Sequence, residues 1–136
     1  MSSVQKNEVY IAVIDDSDFS RKSIIQILEK EGFNIVGEAA SAEAALHISR
    51  TTSANLYIID IVMPEISGIE LAKHISDQAR NRNINIIMIS SLKMEHIIVE
   101  SISNGAIDFL QKPFSKEDLV RSVSKISSQM EHYKGI

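Results

Sequence analysis

The sequence predicts one α/β domain, a doubly wound parallel sheet with helices on both faces. Three observations predict it. Short apolar runs recur along the chain without the apolar–polar alternation of a half-solvated strand, which marks strands buried on both faces. Between them lie segments whose apolar residues repeat at three and four positions, the helical spacing. Strands and helices alternate one for one, so the crossovers are right-handed and the helices divide between the two faces.

The first run, Val9-Tyr10-Ile11-Ala12-Val13-Ile14, ends in Asp15-Asp16 and reads as a central strand. Ser17 or Asp18 can cap the next helix, whose Ile24, Ile27 and Leu28 share a face and whose stop is Gly32. Phe33 to Ala39 is a second strand, less apolar and so nearer an edge. Ser41 begins a short helix with Glu43 in its first turn and Ala42, Ala45 and Leu46 on one face. Leu56-Tyr57-Ile58-Ile59 then runs into a single carboxylate, Asp60, and a loop punctuated by Pro64 and Gly68. A helix from about Gly68 to Arg82 follows, carrying Ile69, Ala72, Ile75 and Ala79. Asn85 to Ile89 is a fourth strand ending in Ser90-Ser91. Met94 to Asn104 is a helix with Met94, Ile97, Ile98 and Ile102 as its stripe, stopped by Gly105. Ile107 to Leu110 is a short fifth strand leading into Gln111-Lys112-Pro113-Phe114. Ser115 caps the last helix, with Leu119, Val123, Ile126 and Met130 on its core side. Strands one, three and four are the most apolar, which suits the centre of the sheet.

The 136 residues suit a single domain, with a core over about 8–130 and too little chain after the last helix for an output domain. With no cysteine, disulfides, thiol catalysis and cysteine metal sites are excluded. No apolar run approaches the roughly 18 residues of a membrane span, and the polar first eight residues lack a signal-peptide core. The expected compartment is the cytoplasm. A net charge of −4 with scattered Lys and Arg argues against nucleic acid as a partner.

Open parallel sheets place their chemistry at the carboxyl ends of the strands. Those ends carry Asp15 and Asp16, Asp60, Ser90 and Lys112. Each alone reads most simply as a turn or cap residue. Together they put three carboxylates, a hydroxyl and an ammonium on one sheet edge. Carboxylates crowded in a cleft raise one another's pKa unless a cation offsets them, and an oxygen-only donor set suits a hard ion, Mg²⁺ above all. A carboxylate kept ionised beside Mg²⁺ is a nucleophile toward phosphorus, and phosphoryl transfer needs the charge neutralisation that Mg²⁺, an ammonium and a hydroxyl supply.

Over roughly Val9 to Ser128 the chain resembles the response-regulator receiver domains of bacterial two-component signalling. The matching pieces are Val13-Ile14-Asp15-Asp16-Ser17, Asp60-Ile61-Val62-Met63-Pro64 with Gly68, Ile89-Ser90-Ser91, and Gly105-Ala106 with Lys112-Pro113-Phe114. The resemblance implies a flavodoxin-like, five-stranded parallel sheet of order 2-1-3-4-5 with five helices. It makes Asp60 the phosphoacceptor, with Mg²⁺ held by Asp15, Asp16, Asp60 and the main-chain carbonyl of Val62. Ser90 and Lys112 would contact phosphoryl oxygens, and the Lys112–Pro113 bond would be cis. Phe109 would be the switch aromatic, moving into space that Ser90 vacates. Two positions tune phosphoryl lifetime in this family, here the apolar Val62 and Leu92, which cannot orient a water; slow self-dephosphorylation is expected. The implied partners are a sensor histidine kinase or phosphotransfer protein and a downstream protein bound at the fourth helix, fifth strand and last helix, with homodimerisation as one outcome there. Such a protein is a self-phosphorylating signalling module rather than an enzyme with a separate substrate.

Other readings are weaker. A relay intermediate would hand the phosphoryl group on to a phosphotransfer histidine. Asp16-Ser17-Asp18 imitates the Asp-x-Asp of haloacid-dehalogenase-like phosphatases, but a cap and a later acidic pair are not evident. A flavodoxin-like electron carrier would need a phosphate loop after the first strand and aromatics for the flavin. His47, His74, His96 and His132 stand at no ligand spacing and read as solvated. Phe109, where chemotaxis receivers carry Tyr, offers no hydroxyl, and its plain reading is a strand core residue.

Overall fold

A computed structural model describes residues 8–78, 83–92, 97, 99–100, 102 and 108–134, with side chains described as far as residue 130. Five strands, β1 (Tyr10–Ile14), β2 (Asn34–Ala39), β3 (Leu56–Asp60), β4 (Asn85–Ser90) and β5 (Asp108–Gln111), form one parallel sheet of order β2-β1-β3-β4-β5. The helices complete among the described residues are α1 (Asp18–Lys30), α2 (Ala42–Thr51), α3 (Gly68–Gln78) and α4 (Lys116–Lys134).

The expected edge and centre are both found. The less apolar β2 is an edge strand, while β1, β3 and β4 are the three interior strands, with β3 at the centre. Alternate residues of a strand point to opposite faces. Ala12, Ile14, Tyr57, Ile59, Ile86 and Met88 pack on one side with α2 and α3, through Ala45, Leu71 and Ile75. Ile11, Val13, Leu56, Ile58, Ile87 and Ile89 pack on the other with α1 and α4, through Leu28, Leu119, Val123 and Ile126. Both faces of the central strands are therefore dry, which is why their sequences show no alternation.

Serine hydroxyls cap all four helices. Ser17, Ser41, Ser67 and Ser115 accept from the amides of Ser20, Ala44, Glu70 and Asp118. Gly32, at φ 89°, ends α1 in the left-handed region, and the Phe33 amide reaches back to the Leu28 carbonyl at 3.0 Å.

The expected Met94–Asn104 helix falls mostly outside the described residues, as do Ala79, Arg82, His96, Gly105, Ala106 and Ile107. Four helices rather than five are therefore described as complete elements. Within the expected fourth one, Ile97, Val99, Glu100 and Ile102 are helical. The stripe assigned to it needs one correction. Ile97 packs against the α2–α3 core, but Ile102 is 56% exposed. Five residues advance a helix by about 140° beyond a full turn, so these two side chains lie at opposite edges of one wide stripe, and only the Ile97 edge meets the core.

Candidate functional site

The register of the sheet brings β1, β3 and β4 to a common carboxyl edge: Ile14 lies opposite Ile59, and Asp60 opposite Ile89. Asp15 follows β1, Asp60 ends β3, Ser90 ends β4 and Lys112 follows β5. Asp15 and Asp60 are buried, while Asp16 is exposed at the rim. One carboxylate oxygen from each of Asp15, Asp16 and Asp60 lies within 4.8 Å of the others. The three expected carboxylates do converge.

Lys112 joins two of them. Its Nζ donates to Asp15 Oδ2 at 2.9 Å and to Asp60 Oδ2 at 3.2 Å. Asp60 Oδ1 accepts from the Val62 amide at 3.1 Å, and Asp15 Oδ1 from the Ser17 amide at 2.9 Å. Each aspartate thus ties down the turn that follows its own strand. The Lys112 amide donates to the Ser90 carbonyl at 2.8 Å, so β4 positions the lysine from behind. The Ser90 hydroxyl is buried and accepts from the Leu92 amide at 3.0 Å. The Lys112–Pro113 peptide is cis, the isomer that the family resemblance implies.

Two carboxylates share one ammonium, and their other neighbours decide which is the better acid. Burial raises the pKa of Asp15, but the Ser20 hydroxyl, the Ser17 amide and Lys112 outweigh it, and the net direction is downward. Asp60 has fewer donors. Burial pushes it up to about 6 against the pull of Lys112, and the charge of Asp15 adds to the rise. Lys112 is itself buried in part, which alone lowers its pKa; the two carboxylates reverse that and hold it above its ordinary value. At neutral pH the cluster therefore holds ionised carboxylates against a single lysine, with net negative charge. Its donors are oxygens only, among described residues without cysteine or histidine, and a hard divalent cation such as Mg²⁺ fits them.

The loop from Ile61 to Gly68 is built to approach Asp60 closely. The Gly68 amide donates to the Ile61 carbonyl at 2.7 Å, and a Cβ at Gly68 would sit 2.1 Å from the Asp60 carbonyl oxygen. Glu65 takes φ 74° in the same loop, a conformation L side chains rarely adopt. Val62 and Leu92 are exposed beside the cluster, 52% and 36%. Phe109 is half-buried on β5 and packs against the α2–α3 core.

Asp18 does not join the acid cluster. Its Oδ1 is engaged by Arg21 Nη2 at 2.6 Å, which speaks against Asp16 and Asp18 as a nucleophile and acid pair. His74 lies 3.9 Å from Glu70 on the surface of α3, and His47 is exposed on α2. Arg21 itself was not expected at the site. It is buried, and it donates to the main-chain carbonyl of Asp15 at 2.8 Å and to Glu38 at 2.8 Å. The signal was present: Arg21 falls at i, i+3, i+7 with Ile24 and Leu28, a charge on the core stripe of α1.

Comparison with known proteins agrees with this geometry. Residues 11–124 match the family model described as the response regulator receiver domain. The chain is 36% identical over 118 residues to the Chemotaxis protein CheY of Bacillus subtilis, covering 85% of this chain and 94% of that protein. Identity to the Chemotaxis protein CheY of Thermotoga maritima is 31% over 117 residues, 86% and 96% of the two chains. Among solved structures, a receiver domain protein of Methanospirillum hungatei superposes with a TM-score of 0.84 at 26% identity, over 92% of this chain and 98% of that one. The CheX–CheY–BeF₃–Mg²⁺ complex of Borrelia burgdorferi matches with a TM-score of 0.82 at 30% identity, over 87% and 88%. An acid cluster at the carboxyl edge of a 2-1-3-4-5 parallel sheet and a family match over most of the chain lead to one conclusion: this chain belongs to the response regulator receiver domain family.

Proposed function

We propose that the chain is a phosphorylation-dependent binding module in which Asp60 accepts a phosphoryl group from a histidine kinase or phosphotransfer protein. The observation that carries the reading is the Lys112 ammonium shared between Asp15 and Asp60, with Asp16 beside them. Asp15, Asp16, Asp60 and the Val62 carbonyl would hold Mg²⁺. When bound, the ion supplies positive charge that offsets the phosphoryl oxygens. In the transfer an ionised Asp60 oxygen attacks phosphorus, a new P–O bond forms, the P–N bond to the donor imidazole breaks, and that imidazole keeps the electron pair. Lys112 binds one phosphoryl oxygen, and the Ser90 hydroxyl, released from the Leu92 amide, donates to another.

The acyl phosphate adds about −1.5 to −2 charge at one sheet edge. Ser90 moves toward it, Phe109 fills the vacated space, and the surface of β5, α4 and the segment containing Val99 and Ile102 changes shape. Val99 and Ile102 are large apolar side chains already exposed, 63% and 56%, which supports a protein-binding face there. A downstream protein, or a second copy of the chain, reads the change only through unequal affinity for the two packings. Val62 and Leu92 shield the acyl phosphate without orienting a water, so hydrolysis is slow. Incubation with acetyl phosphate and Mg²⁺ tests the reading: mass spectrometry should detect one added phosphoryl group that Asp60→Asn abolishes.

A further inference from the structure

We propose that Arg21 is a positioning residue for the acid pair, holding the Asp15–Asp16 peptide in the orientation at which the pair takes a divalent cation. The inference rests on the reading that Asp15 and Asp16 hold Mg²⁺. The guanidinium spans acceptors on three elements. Nη1 donates to the Asp15 main-chain carbonyl at 2.8 Å, Nε to Glu38 Oε1 on β2 at 2.8 Å, and Nη2 to Asp18 Oδ1 at 2.6 Å. The Asp15 amide donates to the Ala39 carbonyl at 3.0 Å, and its carboxylate is held by the Ser17 amide and Lys112. Asp15 is therefore fixed at its amide, its carboxylate and its carbonyl.

Asp16 is different. It is exposed, and the peptide that joins it to Asp15 sets where its carboxylate starts. Arg21 holds the oxygen of that peptide. Its role is geometric, because one guanidinium flanked by the Asp18 and Glu38 carboxylates brings net negative charge and cannot offset the acid cluster. The planar fork is needed for that geometry: a lysine ammonium at this position is a point charge that cannot serve three fixed acceptors in one plane.

The test is Mg²⁺ titration of the full chain by calorimetry, with the backbone amide shifts of Asp16 and Val62 as a second readout. Arg21→Met and Arg21→Lys should each weaken Mg²⁺ binding roughly tenfold. Glu38→Ala, which removes one anchor of the guanidinium, should weaken it less, and the double variant should be no weaker than Arg21→Met. Phosphorylation by acetyl phosphate should then need more Mg²⁺ for half-maximal rate yet return to the parent rate at saturation, which a general loss of fold would not give. Parent-like affinity in Arg21→Met, restoration by Arg21→Lys, or additive losses in the double variant would each overturn the proposal. If Arg21→Met does not fold, Arg21→Lys and Glu38→Ala decide it. A parent protein whose Mg²⁺ binding is untouched by Asp16→Asn would instead sink the underlying metal assignment.

Discussion

Lys112 is one ammonium between two carboxylates, and the residue that yields is Asp60. Its pKa of about 6 lies above the ordinary value of 3.8, chiefly because burial penalises its charge. The sign follows from linkage: a carboxyl whose pKa rises on folding costs stability once ionised. The cost is full above pH 6 and absent below the ordinary carboxylate range. Asp60→Asn is therefore expected to stabilise the metal-free protein at pH 7.5 by on the order of 1–2 kcal/mol, with the gap closing between pH 6 and pH 4. Urea unfolding in EDTA at the two pH values measures it, and a less stable variant at pH 7.5 contradicts it. On the proposed reading Val62, beside Asp60, restrains the opposite process. Val62→Asn gives a water a hydrogen-bonding partner at the acyl phosphate and should shorten its half-life about tenfold, some 1.4 kcal/mol of barrier. Decay of the phosphorylated protein followed by mass spectrometry tests this; an unchanged half-life would remove Val62 as the brake.

At the scale of elements, the loop from β3 to α3 and the seam between β5 and α4 position the site. The loop passes so close to Asp60 that Gly68 cannot carry a side chain, since its Cβ would meet the Asp60 carbonyl oxygen at 2.1 Å. Gly68→Ala must move backbone, and should cost roughly 2–4 kcal/mol together with most phosphorylation. Normal stability and modification in that variant would refute the close approach. At the seam, Asp108 Oδ2 accepts from the buried Ser122 hydroxyl at 2.6 Å and from Lys125 Nζ at 3.3 Å, while Oδ1 accepts from the Phe109 amide. Burial raises the Asp108 pKa, but these donors outweigh it and leave it lowered. Its contribution to stability is present above the ordinary carboxylate range and lost as pH falls through the lowered value. Ser122→Ala should cost about 1–2 kcal/mol near pH 7, and less in acid, by thermal unfolding.

Much of this was legible in the sequence because it is local. Apolar runs, serine caps and the Gly32 stop each depend on a few neighbouring residues, and all appear where expected. The Ser67 cap of α3 was hidden by the loop before it. Arg21 was missed because its three partners lie just after β1, on β2 and on α1, and only the sheet order brings Glu38 of the β2 edge beside the Asp15 carbonyl. Ile102 was misplaced because helical spacing fixes which residues share a stripe but not how much of that stripe the core covers, and Ile102 lies at its uncovered edge.

On the scale of the whole molecule, parallel topology is what assembles the site. Parallel pairing makes every strand end at the same edge, and four strand ends separated by up to 97 residues deliver Asp15, Asp60, Ser90 and Lys112 within reach of one another. Two dry cores pack against the sheet from either face, and on the proposed reading charge added at that edge is relieved at the Phe109 side of the sheet. The central claim is that Asp60 is the phosphoacceptor of this edge. The most direct measurement is intact-mass and peptide mapping after treatment with acetyl phosphate and Mg²⁺, parent against Asp60→Asn. The account predicts a single phosphoryl adduct on the peptide containing Asp60, absent without Mg²⁺ and absent in the variant. An adduct of equal yield in Asp60→Asn would contradict it.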